Sequence, residues 1–243
     1  MSDSAAQLDV VCHQIRSPDN LGAIARLMAN FGFKRLILSE PVTYAFENAR
    51  RMAVGADSVL DALQVCPTLG EAVGDAVYAL GTTSRTQLRR RQALSPEEGI
   101  EKLLLASQRG RVALVLGGEQ RGLSDEDLAF CQDIVVIPTR ELQPSMNLAQ
   151  SAAVLLYLAS RAPRGAIPPS REPPATLRTL KALEGRWQAL LLEAGALNPQ
   201  GPEHIMGELA RSLLRAELTQ REAELWLSAA QHLLRGLGTL PRS

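Results

Sequence analysis

Four short segments carry residue types able to do chemistry. In NLGAIAR, Asn20 stands at the start of a helical pattern and Arg26 lies about one and a half turns later, which equally describes a capped helix with one exposed arginine. In GTTSR, Gly81, Thr82, Thr83 and Ser84 follow an apolar run and offer hydroxyls and main-chain amides without bulk; an ordinary loop has the same pattern. In LVLGGEQRGLS, Gly117 and Gly118 end another run, so a flat ring could approach the main chain there. Glu119 and Arg121 follow on the rim, with a mutual ion pair as the plain alternative. In IPTRELQPSMN, Ser145 and Asn147 precede a helical stretch, where either could also serve as its cap. Arg85, Arg89, Arg90 and Arg91 belong to an acid-free stretch from Thr82 to Ser95. Such a run is a solvated face or a contact for a polyanion.

Several other chemistries lack their residues. No G-x-G-x-x-G follows the first apolar run and no Walker A lysine loop occurs, which disfavours the two large nucleotide-binding classes. Cys12, Cys66 and Cys131 are far apart and odd in number, so neither a disulfide framework nor zinc-ligand spacing is present, and no metal is expected. His13, His204 and His232 form no ligand pattern and read as structural. Cys12 beside His13 is not a nucleophile pair, because neighbours in a strand point to opposite faces.

These segments need elements to position them. Strand-length apolar runs occur at Leu8–Cys12, Arg35–Leu38, Ala76–Leu80, Val112–Leu116 and Ile134–Ile137, with Gly81 closing the third. Helical patterns lie between them: around Leu21–Ala29, Phe46–Val54, Leu69–Val73 and Pro96–Ser107, then a short one capped by Ser124, and one from Asn147 to Ser160. The alternation predicts an α/β fold with a parallel sheet and helices on both faces, and ligands beyond the carboxyl ends of the strands. Five prolines within residues 163–174 cannot continue a helix and predict a semi-rigid linker. Beyond it, Leu177–Ala194 and Met206–Leu237 are helical in pattern, with a break near Asn198–Pro202. The expected organisation is a domain over 1–162, a proline-rich linker over 163–175 and an all-helical extension over 176–243.

Composition sets the outer bounds. With 243 residues, 46% hydrophobic and 21% charged, the chain can bury a full core and is not disordered. Formal net charge is zero, which excludes a polycation that coats nucleic acid by bulk charge. Arginine outnumbers lysine 23 to 3, a bias that a GC-rich genome explains and that also suits forked phosphate contacts. The first ten residues lack the pattern of a signal peptide, and the longest strongly apolar helix candidate is too short to cross a bilayer. A soluble, cytoplasmic protein is expected, without membrane contact.

NLGAIAR, LVLGGEQRGLS and IPTRELQPSMNLAQSAAVLLY resemble, in order and spacing, the three motifs of the SpoU (TrmH-type) RNA ribose methyltransferases of the SPOUT superfamily, and GTTSR fits the loop before the second. The tail, with PEHIMGELARSLLRAELTQREAELWLSAAQHLL, resembles the helical extension of that family's TrmJ branch. The resemblance implies a C-terminal trefoil knot, which no sequence rule would predict, with S-adenosylmethionine held by the knotted loops. It also implies a homodimer through the knot region, and 2′-O-methylation of a tRNA ribose, with nucleotide 32 of the anticodon loop (cytidine or uridine) as the branch's target. Carried over by position, Thr82, Thr83, Ser84, Gly117, Ile137, Pro144, Ser145 and Met146 would line the cofactor site. Asn20, Arg26, Glu119, Ser145 and Asn147 would form the polar catalytic set, and Arg85, Arg89, Arg90, Arg91 and Arg121 would meet RNA. Two departures stand out: Met146 where leucine is usual, and Gly118 where the branch often carries arginine. Action on rRNA or another tRNA position, or a catalytically silent RNA-binding protein on this fold, are the alternatives.

Overall fold

The computed structural model describes residues 7–42, 46–85, 92–161, 172–198 and 203–237. The chain divides into two compact units, Met1–Pro169 and Ser170–Ser243.

Among the described residues, the first unit has six strands, β1 (Leu8–His13), β2 (Arg35–Ser39), β3 (Gln64–Cys66), β4 (Tyr78–Thr82), β5 (Val112–Leu116) and β6 (Asp133–Val135). Seven helices accompany them: α1 (Pro18–Phe31), α2 (Phe46–Arg50), α3 (Asp57–Asp61), α4 (Leu69–Val73), α5 (Pro96–Ser107), α6 (Asp125–Leu128) and α7 (Leu148–Arg161). The strands form one parallel sheet in the order β3-β2-β1-β5-β4-β6. Every residue of β5 is buried, as a central parallel strand covered on both faces requires. Leu8, Val10, Cys12, Leu114 and Leu116 join α1, α5 and α7 in the main core. Their alternates Val11, Ile37, Ala113 and Val115 are buried on the opposite face, and α4 packs on the β1–β3 half of the sheet.

The parallel α/β arrangement matches the sequence expectation, with local differences. β3 was not foreseen: it has three residues, two of them exposed, so no apolar run marks it. β4 runs two residues later than expected and takes Gly81 inside it. A Cβ there would lie 2.9 Å from Cys131 Sγ and 3.0 Å from Leu128 Cδ2, so this glycine serves close packing rather than strand termination. β6 is shorter than its apolar run, and the chain braces it from both sides. The Thr83 N–H donates to the Val135 carbonyl (3.1 Å), the Leu94 N–H to Ile134 (2.8 Å), and the Val136 N–H to Leu94 (3.2 Å).

The second unit contains α8 (Leu177–Glu193), α9 (Glu203–Arg215) and α10 (Gln220–Leu237). The single pattern expected over 206–237 is two helices. Glu217 has φ 48°, and Thr219 opens α10 in a reciprocal bond pattern with Glu222: the Glu222 N–H donates to Thr219 Oγ1 (3.2 Å) and the Thr219 N–H to Glu222 Oε2 (2.8 Å). Trp187 and Trp226 meet between α8 and α10 in a tilted contact, with ring centroids 6.1 Å apart and 54° between the planes. Most of the proline-rich linker, residues 163–171, lies outside the described residues. No described helix is long and apolar enough to cross a membrane.

Candidate active site

The site lies beyond the carboxyl ends of β4, β5 and β6, as expected for a parallel sheet. A cavity of about 510 Å³ is bounded there by residues 82–85, 117–122, Val135, Ile137, Thr139, 144–148 and Ser151. All eight residues expected at a cofactor site line it, together with Glu119, Asn147, Arg85 and Arg121. Asn20 and Arg26 do not.

Asn20 is nonetheless tied in. Ser17, not Asn20, caps α1 by accepting from the Asn20 N–H (3.3 Å), and Pro18 occupies the first turn. That leaves the Asn20 amide free to work elsewhere. It donates from Nδ2 to Glu119 Oε1 (3.1 Å) and accepts at Oδ1 from Asn147 Nδ2 (3.0 Å). Asn147 in turn caps α7, its Oδ1 accepting from the N–H groups of Ala149 (2.8 Å) and Gln150 (3.3 Å). Glu119 completes the chain by accepting from the N–H groups of Arg16 and Ser17, both at 3.0 Å. One polar relay therefore joins the residues that follow β1, β5 and β6.

Glu119 is held by main-chain donors, and among the described residues no ion pair with Arg121 forms. Desolvation pushes its pKa up. The bonds from Ser17, Asn20, its own N–H and Arg16 outweigh that and hold the carboxyl below the usual range, so it stays an anion. Burial pushes the Cys12 thiol up to about 12, with the charge of Glu119 adding to the shift, and the residue is fully enclosed, which removes it as a nucleophile. His13 bonds Ser39 through Nδ1 (2.9 Å) and lies 3.3 Å from Asp127 Oδ1 through Nε2. The connectivity imitates a hydrolytic triad. Ser39 is completely buried, though, so no substrate can reach it and the group is structural.

The glycines also have a packing role. A Cβ at Gly117 would lie 2.4 Å from the Gly122 carbonyl carbon and 2.5 Å from the Leu123 nitrogen; one at Gly118 would meet the Gln14 carbonyl oxygen at 2.8 Å. These residues first let the loop close on its own backbone, with the Gly122 N–H donating to the Gly118 carbonyl (2.9 Å). The wall this produces is bare main chain. Gly22, missed in the sequence, does the same for α1: a Cβ would meet the Ala49 carbonyl at 2.1 Å, so it sets the close approach of α1 to α2.

Three polar side chains of the β4 loop are already engaged. Thr82 Oγ1 donates to the Val115 carbonyl (3.1 Å), and Thr83 Oγ1 accepts from the Arg85 N–H (3.2 Å). Arg85 donates from Nη1 to Asp125 (2.8 Å) and from Nη2 to the Leu123 carbonyl (2.9 Å). Arg89, Arg90 and Arg91 lie outside the described residues. Arg26 and Arg121 are exposed, with no hydrogen bond or ion pair among the described residues. No group of three or more possible metal ligands occurs among the described residues.

The cavity has the volume of a small-molecule site, a main-chain wall, apolar side chains at Val135, Ile137, Pro144 and Met146, and hydroxyls at Thr83, Ser84 and Ser145. A flat heteroaromatic group with a polar ribose and amino-acid end fits that donor set. The parallel sheet carries this cavity among glycine-rich strand-end loops joined by a relay through three sequence motifs, and the chain belongs to a methyltransferase class, the SpoU rRNA methylase family, whose model matches residues 7–157. Within it, the chain is 32% identical over 249 residues to the tRNA (cytidine/uridine/adenosine-2′-O-)-methyltransferase TrmJ of Pseudomonas aeruginosa, covering 95% of this chain and 96% of that one. It is 29% identical over 213 residues to the tRNA (cytidine/uridine-2′-O-)-methyltransferase TrmJ of Cronobacter sakazakii, covering 85% and 87% of the two chains. The crystal structure of TrmJ from Z. mobilis ZM4 superposes with a TM-score of 0.81 at 27% identity, covering 93% of this chain and 98% of that one.

Proposed function

We propose that this chain is an S-adenosylmethionine-dependent tRNA ribose 2′-O-methyltransferase that acts on nucleotide 32 of the anticodon loop, in the cytoplasm and as a homodimer. The observation that carries the reading is the Glu119–Asn20–Asn147 relay, which draws all three family motifs to one rim of a cofactor-sized cavity. The names and full-length coverage of the TrmJ relatives support tRNA as the substrate.

Bound S-adenosylmethionine supplies a methyl group already activated by its sulfonium, so no metal is required. The chain must hold the ribose oxygen in line with that methyl, exclude water and stabilise the negative charge that develops on oxygen. The 117–122 wall, the apolar side chains and Ser145 hold the cofactor. Arg26 clamps an RNA phosphate and stabilises the developing alkoxide. It does so as a cation, because a guanidinium stays protonated in proteins. The relay fixes the start of α1 and so the direction in which Arg26 projects. Arg121 and Arg89–Arg91 contact the RNA backbone, which predicts tRNA binding that weakens steeply with salt. With aromatics at only 4% of the chain, base stacking is secondary to phosphate contact and loop shape.

The trefoil knot of the family is part of the proposal. It is supported by β6 lying between Thr83 and Leu94, the two ends of one connection. It is supported too by the return of the chain from the outer strand β6 to Asn147, bonded to Asn20 after β1. Dimerisation is supported by Arg26, which lies outside its own chain's cavity lining, so that a second copy would complete the site. We also propose the domain organisation expected from the sequence, with the helical extension as a second RNA surface.

The test is incubation with radiolabelled S-adenosylmethionine and total tRNA, followed by nuclease mapping. Label on ribose 32 is the expected result. Label on another nucleotide, or on rRNA alone, would keep the chemistry and replace the substrate; no binding of the cofactor would overturn the enzyme reading.

A further inference from the structure

α6 opens with three consecutive acids, Asp125, Glu126 and Asp127, more charge than the capping of a four-residue helix requires. Asp127 alone completes the cap, its Oδ2 accepting from the Ser124 N–H (2.8 Å) while its own N–H donates to Ser124 Oγ (3.1 Å). Asp125 takes no part in it and faces Arg85. The Arg85 fork reaches across the cavity wall: Nη1 to Asp125 Oδ1 (2.8 Å) and Nη2 to the carbonyl of Leu123, a residue only 1% exposed. At its base, the Arg85 N–H donates to Thr83 Oγ1 (3.2 Å). One planar side chain thus ties the segment after β4 to the turn after β5, and both segments line the same cavity. Arg85 and Asp125 are substantially exposed, 42% and 58%, so the ion pair alone is weak. The bond to the carbonyl of the buried Leu123 sets the register. A lysine offers one nitrogen on a flexible stem in place of the two that the planar fork sets against separate acceptors.

We propose that Arg85 is a positioning residue for the cofactor site: its fork to Asp125 and Leu123 holds the 117–123 turn at the distance that defines the cavity. Its sequence neighbourhood had suggested an RNA contact. A guanidinium held by two intramolecular acceptors keeps fewer free N–H groups and a fixed orientation, which suits it less to a phosphate than an unpaired one. The inference rests on the S-adenosylmethionine reading of the cavity, and its test separates the two.

The test compares the full chain with Arg85→Ala, Arg85→Lys and Asp125→Asn. Three readouts are taken: calorimetric binding of S-adenosylhomocysteine, tRNA binding across a salt series, and amide hydrogen exchange of residues 118–123. Arg85→Ala is expected to raise the S-adenosylhomocysteine Kd roughly tenfold, from loss of a charged hydrogen bond, with Asp125→Asn giving a smaller rise and Arg85→Lys no rescue. The cofactor KM rises while kcat at saturating cofactor holds. Amides 118–123 exchange faster in the Arg85→Ala and Asp125→Asn variants, and tRNA affinity and its salt slope stay those of the unchanged protein. Weaker tRNA binding with a salt slope reduced by about one, at unchanged cofactor affinity and exchange, would overturn the proposal in favour of an RNA contact. If the unchanged protein bound no S-adenosylhomocysteine, the cofactor reading would fall. Faster exchange in the variants would then leave the fork standing as a structural tie, and unchanged exchange would remove it as well.

Discussion

On the strand side of the site, the polar groups that brace the cavity wall are spent within the chain. Thr82 donates to Val115, Gly122 to Gly118, and Arg85 to Asp125 and Leu123, so the cavity wall is fixed before any ligand arrives. On the α1 side, Arg26 is exposed and has no partner among the described residues. The contrast suits two ligands of different kinds. A small cofactor with one conformation to recognise rewards a preorganised wall. A large RNA brings its own phosphates, and an unpaired guanidinium can accept one without first losing another bond.

The strongest way to break this comparison is to remove Arg26. Arg26→Ala is expected to lower the single-turnover methylation rate by about 10²–10³-fold, the scale for deleting one group that stabilises a developing oxyanion. S-adenosylhomocysteine affinity should stay unchanged in the same preparation. A full rate would end the role of Arg26, and a parallel loss of cofactor binding would show that the two sides are not independent.

The converse substitution attacks the wall. Gly117→Ala drives a Cβ onto the main chain of Gly122 and Leu123, neither of which can retreat as a side-chain tip could. Overpacking of this kind costs about 1–3 kcal/mol, and calorimetry should show it mainly as lost S-adenosylhomocysteine affinity. Affinity equal to that of the unchanged protein would mean that the loop has room the geometry denies it.

Glu119 belongs to both sides, so its loss should be felt on both. Glu119→Gln replaces an acceptor of three donors from other residues by a group that must turn an NH₂ toward some of them, costing about 1–2 kcal/mol of stability at neutral pH. The pH dependence gives an independent check. The folded carboxyl lies below its ordinary 4.5, so its contribution is fully present above that value and is lost as pH falls through the lower folded value. Urea midpoints taken on either side of pH 4.5 should show an acid-sensitive part in the unchanged protein that is absent from the variant.

These residues also show what could be read without coordinates. The strand–helix alternation was legible because apolar runs of strand length end in glycine or polar loops, and parallel sheets bind at those ends; the eight cavity residues came by position from the family resemblance. The contacts that Asn20, Glu119 and Gly117 make were not legible, for a common reason. Each makes its decisive contact with a segment distant in sequence: Asn20 with Asn147, Glu119 with Arg16 and Ser17, Gly117 with Gly122 only after the loop has closed. Spacing along the chain does not encode such partners. The division between α9 and α10 was legible, since Thr219 and Glu222 form a capping box in TQRE, but a continuous apolar pattern obscured it. β3 offered no signal, being short and largely exposed at the edge of the sheet.

The smallest expected effect separates backbone from side chain within the cavity wall. Met146 is half-buried at its edge, and leucine has nearly the same volume without the thioether. Volume-conserving swaps of this kind cost less than about 1.5 kcal/mol, so Met146→Leu should bind S-adenosylhomocysteine with an affinity close to that of the unchanged protein. The reason is the one that makes Gly117 intolerant. A side chain at the cavity edge can adjust its rotamer to the ligand, whereas a main-chain wall braced by Arg85 and Thr82 has no such freedom. If Met146→Leu lost as much affinity as Gly117→Ala, the apolar edge would be as closely specified as the backbone, and cofactor selectivity would then reside in the 144–147 segment rather than in the glycine turn.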